Sequence, residues 1–271
     1  MPHNKNKSHP FLSPFPVVCA HRGDSAHNPE NTLPAFMSAA ELGVDRSESD
    51  VHLTPDEQCL SWHDSTLDRM SNGTGNISDY TLIELKQLDA AYSFTPPGDS
   101  GYPFRGRGIT IPSLAETLEA LPDMRFNLDL KGTSLRLAKR FVEVVEQFHA
   151  HERILGASFH YRQLHRLRRM APSLVTSFSS PEARTLIGLH KAGLLKHIFP
   201  FKGLTLQVPE IHGNVRIVTT DLIKLLHEKG ISIQVWTINA EPDMQRLLDM
   251  GVDGILTDDP RLLQKVLRER E

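Results

Sequence analysis

Eight strand-like segments, each followed by a helical one within about 250 residues, predict a closed (β/α)8 TIM barrel. Three observations carry that reading. From residue 126 onward, short apolar runs alternate with amphipathic helical stretches in an unbroken rhythm. No glycine-rich nucleotide loop follows the first strand, which disfavours the competing doubly wound sheet. Ionisable residues also collect at the C-terminal ends of the strand segments, where a barrel carries its chemistry.

The first strand is Val17-Val18-Cys19-Ala20, and it runs into His21-Arg22-Gly23. After the loop 28–32, Thr32 is placed to cap a helix with Pro34 in its first turn. That helix has Leu33, Phe36, Met37 and Ala40 on one face and ends at Gly43. The second strand, 44–50, carries Glu48-Ser49-Asp50. A turn at Pro55-Asp56-Glu57 with even arms makes a hairpin, which returns His63-Asp64 to the level of Asp50. Residues 64–112 break the rhythm: they are rich in turn residues, with one short helix over 81–88. They read as an insertion, because a structureless loop of that length within a core is unusual. Ser113 then caps a helix carrying Leu114, Thr117, Leu118 and Leu121. Six units follow, with strands at 126–130, 154–159, 174–178, 203–208, 231–237 and 254–257. Their helices are 135–148, 161–170, 181–192, 220–229, 242–250 and 260–268. The expected organisation is a loose N-terminal tail, 1–16, and one domain, 17–271, with the insertion 64–112.

Of the 271 residues 39% are hydrophobic, enough to bury a substantial core. A net charge of −3 argues against nucleic acid or an anionic membrane as the main partner. Cys19 and Cys59, both in strands, read as buried thiols in a reducing compartment. Neither a signal-peptide run nor a membrane-length apolar stretch is visible, so a soluble cytoplasmic protein without stable membrane insertion is expected.

Glu48 and Asp50, two apart on a strand, point to one side. Facing carboxylates are costly unless something positive sits between them: a hard cation, or a salt bridge with Arg46 or Arg22. The predicted rim also gathers His21, Arg22, Asp129, Lys131, Phe159, Gln207, Trp236, Asn239 and Asp258, with His63 delivered by the hairpin. Burying so many ionisable groups in one place without a function would be hard to explain. The basic run Arg162, Arg166, Arg168 and Arg169 reads as the solvated face of an outer helix. Eight other histidines, His212 among them, fall on helices or loops without ligand partners.

These residues also resemble a known family. His21-Arg22-Gly23, Pro29-Glu30-Asn31-Thr32, Glu48-x-Asp50-Val51, His63-Asp64 and Asn72-Gly73-Thr74-Gly75 occur in its order and spacing. So do Ile111-Pro112-x-Leu114, Trp236-Thr237-x-Asn239 and the run from Gly251 through Asp258 to Pro260. The chain is similar, over about 17–268, to the glycerophosphodiester phosphodiesterases. The resemblance implies hydrolysis of small-molecule phosphodiesters such as glycerophosphocholine or glycerophosphoethanolamine to glycerol 3-phosphate and an alcohol. It implies a divalent cation, Mg2+ or Ca2+, on Glu48, Asp50 and Asp129, and His21 and His63 as general base and acid. Arg22 and Lys131 would hold phosphate oxygens, with Trp236 a further substrate contact. The nucleophile is either water or a neighbouring glycerol hydroxyl. The insertion would cover the mouth, with Tyr92, Phe94 and Phe104 as its apolar contributions to the pocket. Action on another phosphodiester, such as a lysophospholipid, or a catalytically weak binding protein are the alternatives. The chain departs from the family pattern in Arg46-Ser47, usually apolar, in Asp129, generally Glu, and in Glu57, commonly Gly. Arg46, on the same side as Glu48, is expected to point into the barrel and pair with it.

Overall fold

The computed structural model describes residues 10–197 and 201–270. The strands are β1 (Val17–Ala20), β2 (Arg46–Leu53), β3 (Cys59–Ser61), β4 (Phe126–Leu130), β5 (Ile154–Ala157) and β6 (Val175–Thr176). They continue with β7 (Thr205–Val208), β8 (Ile211–His212), β9 (Val215–Arg216), β10 (Ser232–Val235) and β11 (Gly254–Thr257). The helices are α1 (Leu33–Glu41), α2 (Leu82–Leu85), α3 (Leu114–Ala120), α4 (Leu135–Gln147) and α5 (Tyr161–Met170). Then come α6 (Ser180–Lys191), α7 (Thr220–Glu228), α8 (Glu241–Met250) and α9 (Pro260–Arg268).

Eight strands pair in parallel in the order β6-β5-β4-β2-β1-β11-β10-β7. A parallel bridge between Ser177 and Thr205 closes the ring, with Leu204 N–H donating to the Thr176 carbonyl at 3.0 Å. The expected barrel is therefore the observed one. Helices cover it because their apolar stripes have the helical period: on α4, Leu137, Ala138, Phe141, Val142 and Val145 are all buried. The hairpin of β2 and β3 pairs Val51 with Ser61, and Trp62 N–H donates to the Asp50 carbonyl at 3.0 Å, so Trp62 rather than His63 stands opposite Asp50 and His63 follows one residue on. Glu57 takes the positive φ, 58°, that a glycine usually supplies there, and the turn still closes.

Three expectations need correction. The segment 10–16 is not a loose tail: a 3-10 helix, Pro10–Leu12, places Phe11 and Leu12 at 0% and 2% exposure against Leu155, Ala157 and Val175. Residues 1–9 lie outside the described residues. Arg46 does not pair with Glu48. It points into the barrel floor, where its guanidinium donates to the Phe11 carbonyl and lies 4.2 Å from the centre of the Phe11 ring. The N-terminal segment offered a carbonyl and a ring at the level of Arg46, while Glu48 sits two residues nearer the mouth. Burial pushes the Arg46 pKa down to about 10.

The insertion is the third correction. It builds a small core of its own, with Leu67, Met70, Ile77, Leu85 and Phe94 packed on Leu60 and Trp62. Phe94 and Phe104 pack edge to face, and Tyr92 stacks on Arg105, so none of the three reaches the barrel mouth.

Candidate active site

The eight predicted site residues meet around one cavity of about 450 Å3 at the C-terminal mouth of the barrel. They are His21, Arg22, Glu48, Asp50, His63, Asp129, Lys131 and Trp236. The pleat explains why: Glu48 and Asp50 both face inward from β2, and Asp50 is in register with Asp129 on β4.

At the end of β1, Arg22 adopts a left-handed φ of 57°. That turn aims its N–H at Glu48 Oε2, 3.1 Å away, and sends its guanidinium to Glu30 (2.9 Å) and toward Asp50 (3.5 Å). Gly23 follows because a Cβ there would lie 2.6 Å from the Ala35 carbonyl carbon. Asn31, also left-handed at 56°, donates to Asp50 at 2.9 Å.

Lys131 Nζ bridges Asp50 Oδ1 at 2.7 Å and Asp129 Oδ2 at 2.6 Å. The positive charge expected between the carboxylates is thus supplied, in part, by lysine. Burial pushes the Asp50 carboxyl up, but Lys131 and Arg22 outweigh it and hold it below its ordinary range. Glu48 goes the other way, pushed up to about 7 by burial and by the charge of Asp50. Burial also raises Asp129, whose Oδ1 is buried with no hydrogen-bond partner.

Each histidine is backed by a carboxylate. His21 Nδ1 lies 2.6 Å from Asp258 Oδ1, and Asp258 is itself held by Asn239 (2.6 Å) and Ser25 (3.2 Å). His63 Nδ1 lies 2.7 Å from Asp64 Oδ1, and Arg69 of the insertion ties Asp64 (2.6 Å) to Glu30 (2.9 Å). An ionised carboxylate can only accept, so it fixes the proton on Nδ1 and leaves each Nε2 free for chemistry. His21 Nε2 lies 3.9 Å from Glu48 Oε2. Burial works against the His21 cation, yet Asp258 and Glu48 raise its pKa above the ordinary value.

The remaining wall comes from the β5–β7 side. Phe159 and Trp236 pack edge to face with ring centres 6.0 Å apart, and Phe178, Ile187 and Ile217 continue the apolar surface. Arg184 on α6 and His212 on β8 also line the cavity. The discounted His212 therefore belongs to the site region. Its signal was Gly213-Asn214 between Ile211 and Val215, a two-residue hairpin turn that brings β8 and β9 over the mouth.

A hard divalent cation suits an all-oxygen donor set. The unpartnered Asp129 Oδ1 and the crowded, buried Glu48 fit such an ion. Among the described residues, however, no three histidine, cysteine, aspartate or glutamate side chains are already drawn together as a metal cage. Lys131 stands between Asp50 and Asp129, within ion-pair distance of both.

Residues 21–262 match the model of the glycerophosphoryl diester phosphodiesterase family. A glycerophosphodiester phosphodiesterase of Caldanaerobacter subterraneus is 33% identical over 260 residues, covering 93% of this chain and 98% of that one. A lysophospholipase D of Homo sapiens is 28% identical, covering 97% and 89% respectively. Among solved structures, an Oleispira antarctica phosphodiesterase in complex with the product sn-glycerol 3-phosphate superposes with a TM-score of 0.76. It is 26% identical and covers 94% of this chain and 97% of its own.

Proposed function

The chain belongs to the glycerophosphoryl diester phosphodiesterase family, whose members are phosphoric diester hydrolases, and from that premise we propose that it cleaves glycerophosphodiesters to glycerol 3-phosphate and an alcohol. The observation that carries the reading is the pair of carboxylate-backed histidines, each with a free Nε2, on a cavity also lined by Arg22 and Lys131.

A phosphodiester is anionic and resists attack, so charge on the phosphoryl oxygens has to be offset as the transition state forms. Arg22 and Lys131 supply fixed positive charge for that purpose. The Nε2 of one histidine takes the proton of the attacking hydroxyl, from water or from the adjacent glycerol hydroxyl. The other histidine gives its Nε2 proton to the departing alkoxide as the phosphorus–oxygen bond breaks. Asp258 and Asp64 hold the two rings in the required tautomer and stabilise the imidazolium that forms. Glu48, Asp50 and Asp129 would hold Mg2+ or Ca2+, which when bound adds Lewis-acid stabilisation of the phosphoryl oxygens. The relative solved with sn-glycerol 3-phosphate supports the product assignment.

The test is an assay of glycerol 3-phosphate release from a panel of glycerophosphodiesters, coupled to its oxidation. Turnover is expected with Mg2+ or Ca2+, and His21→Ala, His63→Ala or Glu48→Ala is expected to lower kcat by roughly a hundredfold or more. No release from any member of the panel, or wild-type rates in these variants, would reject the reading. The apolar Phe159, Phe178, Ile187 and Ile217 wall favours a second reading, an acylated glycerophosphodiester, in keeping with the human relative named a lysophospholipase D. The same preparation assayed on a lysophospholipid decides between them.

A further inference from the structure

We propose that Arg184 selects glycerophosphodiesters whose alcohol carries an anionic group of its own, such as a second phosphate or a carboxylate. This inference rests on the glycerophosphodiester reading of the site. The three carboxylates that line the cavity, Glu48, Asp50 and Asp129, all come from β2 and β4. In the closed ring, β6 and β7 lie across the barrel from β2. That opposite side presents Arg184 and His212 and no acid. Its nearest carboxylates by sequence are engaged elsewhere: Glu182 pairs with Arg168 at 2.6 Å, and Glu210 pairs with Arg246 at 2.7 Å.

The cations of the cavity differ in the same way. Arg22 and Lys131 are held by Glu30, Asp50 and Asp129, whereas Arg184 has no ion pair or hydrogen bond among the described residues. A phosphodiester held between Arg22, Lys131 and the histidines sends one organic half toward each side. Glycerol hydroxyls find acceptors among the carboxylates of β2 and β4. The alcohol then lies against Phe178 and Ile187, with a free guanidinium at its end. A quaternary ammonium there would meet a like charge with no carboxylate to offset it. A phosphate or carboxylate would meet an unpaired, planar donor suited to bidentate recognition. Arg184 is itself exposed, so the preference is set at the modest level of solvent-accessible ion pairs. Ser179 and Glu182 form a capping box at the start of α6, and Leu186 is fully buried, so the helix presenting Arg184 is held in place.

A matched pair of substrates isolates the effect: glycerophosphoinositol and glycerophosphoinositol 4-phosphate differ by one distal phosphate. The wild type is expected to favour the phosphorylated member in kcat/KM by about fivefold at low salt, less at high salt. Arg184→Gln should bring the ratio to about one, and Arg184→Lys should restore part of it, a pattern that a general loss of folding would not produce. The same pair is titrated calorimetrically into the His21→Ala protein, with and without Arg184→Gln. A binding preference lost with Arg184 but no turnover of either compound by the wild type would sink the phosphodiesterase reading and keep the role of Arg184. Turnover without a preference, a preference that survives Arg184→Gln, or no binding of either compound would overturn the role of Arg184.

Discussion

In the proposed mechanism Asp258 fixes which nitrogen of His21 is left for the substrate, so its replacement tests that mechanism more sharply than removal of the ring. In Asp258→Asn the amide can donate as well as accept, and the imidazole loses its preferred tautomer. The expected outcome is a fall in kcat of at least about a hundredfold with the fold intact, measured by steady-state kinetics beside far-UV circular dichroism. Arg46 is the opposite case, a buried cation that makes no ion pair among the described residues, with two nitrogens, Nε and Nη1, lacking hydrogen bonds. Arg46→Met keeps the stem and drops the charge, and is expected to stabilise the protein by about 1 kcal/mol, read as a higher urea midpoint. At this scale the sequence was only half legible. The strand register was enough to place Glu48 and Asp50 together and Asp129 opposite. The partners of Arg46 could not be read, because Phe11 lies in a polar, proline-containing stretch whose burial depends on strands more than a hundred residues away.

The segment Pro10–Leu12 closes the floor of the barrel, and its worth is measurable. Phe11→Ala removes a fully buried ring and the stacking surface of Arg46, and is expected to cost about 3 kcal/mol in chemical denaturation. The start of α6 offers a pH-dependent test. Burial raises the Glu182 carboxyl, but Arg168 and Ser179 outweigh it and hold its pKa below the unfolded value. A depressed folded pKa means stability that is present above the unfolded value near ~4.5 and lost as pH falls through the folded one. Glu182→Gln should therefore be less stable than the wild type by about 1 kcal/mol at pH 7. The gap should close as the pH falls through the folded value, followed by urea midpoints across pH. Periodicity made most elements legible, since apolar spacing sets the helices of α3 to α9 and the strands between them. The aromatic residues of the insertion were misassigned because a satellite core and a pocket wall call for the same residue types.

For the whole molecule, the neighbouring strands β1, β2 and β4 bring their ends to a single place, with His21 from β1, Glu48 and Asp50 from β2, and Asp129 from β4. Closure of the ring sets the β6 and β7 side opposite β2. If a divalent cation joins Glu48, Asp50 and Asp129, chelation acts on stability as well as on turnover. Removing divalent ions with EDTA is expected to abolish activity, and restoring Mg2+ or Ca2+ should raise the Tm by a few degrees. The rise should disappear in Glu48→Gln, which differential scanning calorimetry checks. Among the described residues no helix is long and apolar enough to cross a membrane.

The buried Phe11 and Leu12 also bear on how the protein is made. A ribosome delivers them more than a hundred residues before Val175, which is part of the surface that receives them. Until then these two apolar side chains have only an incomplete surface to dock on. The floor of the barrel is therefore laid early and fitted late, and a bulky fusion placed close before residue 10 would sit beside that fitting step.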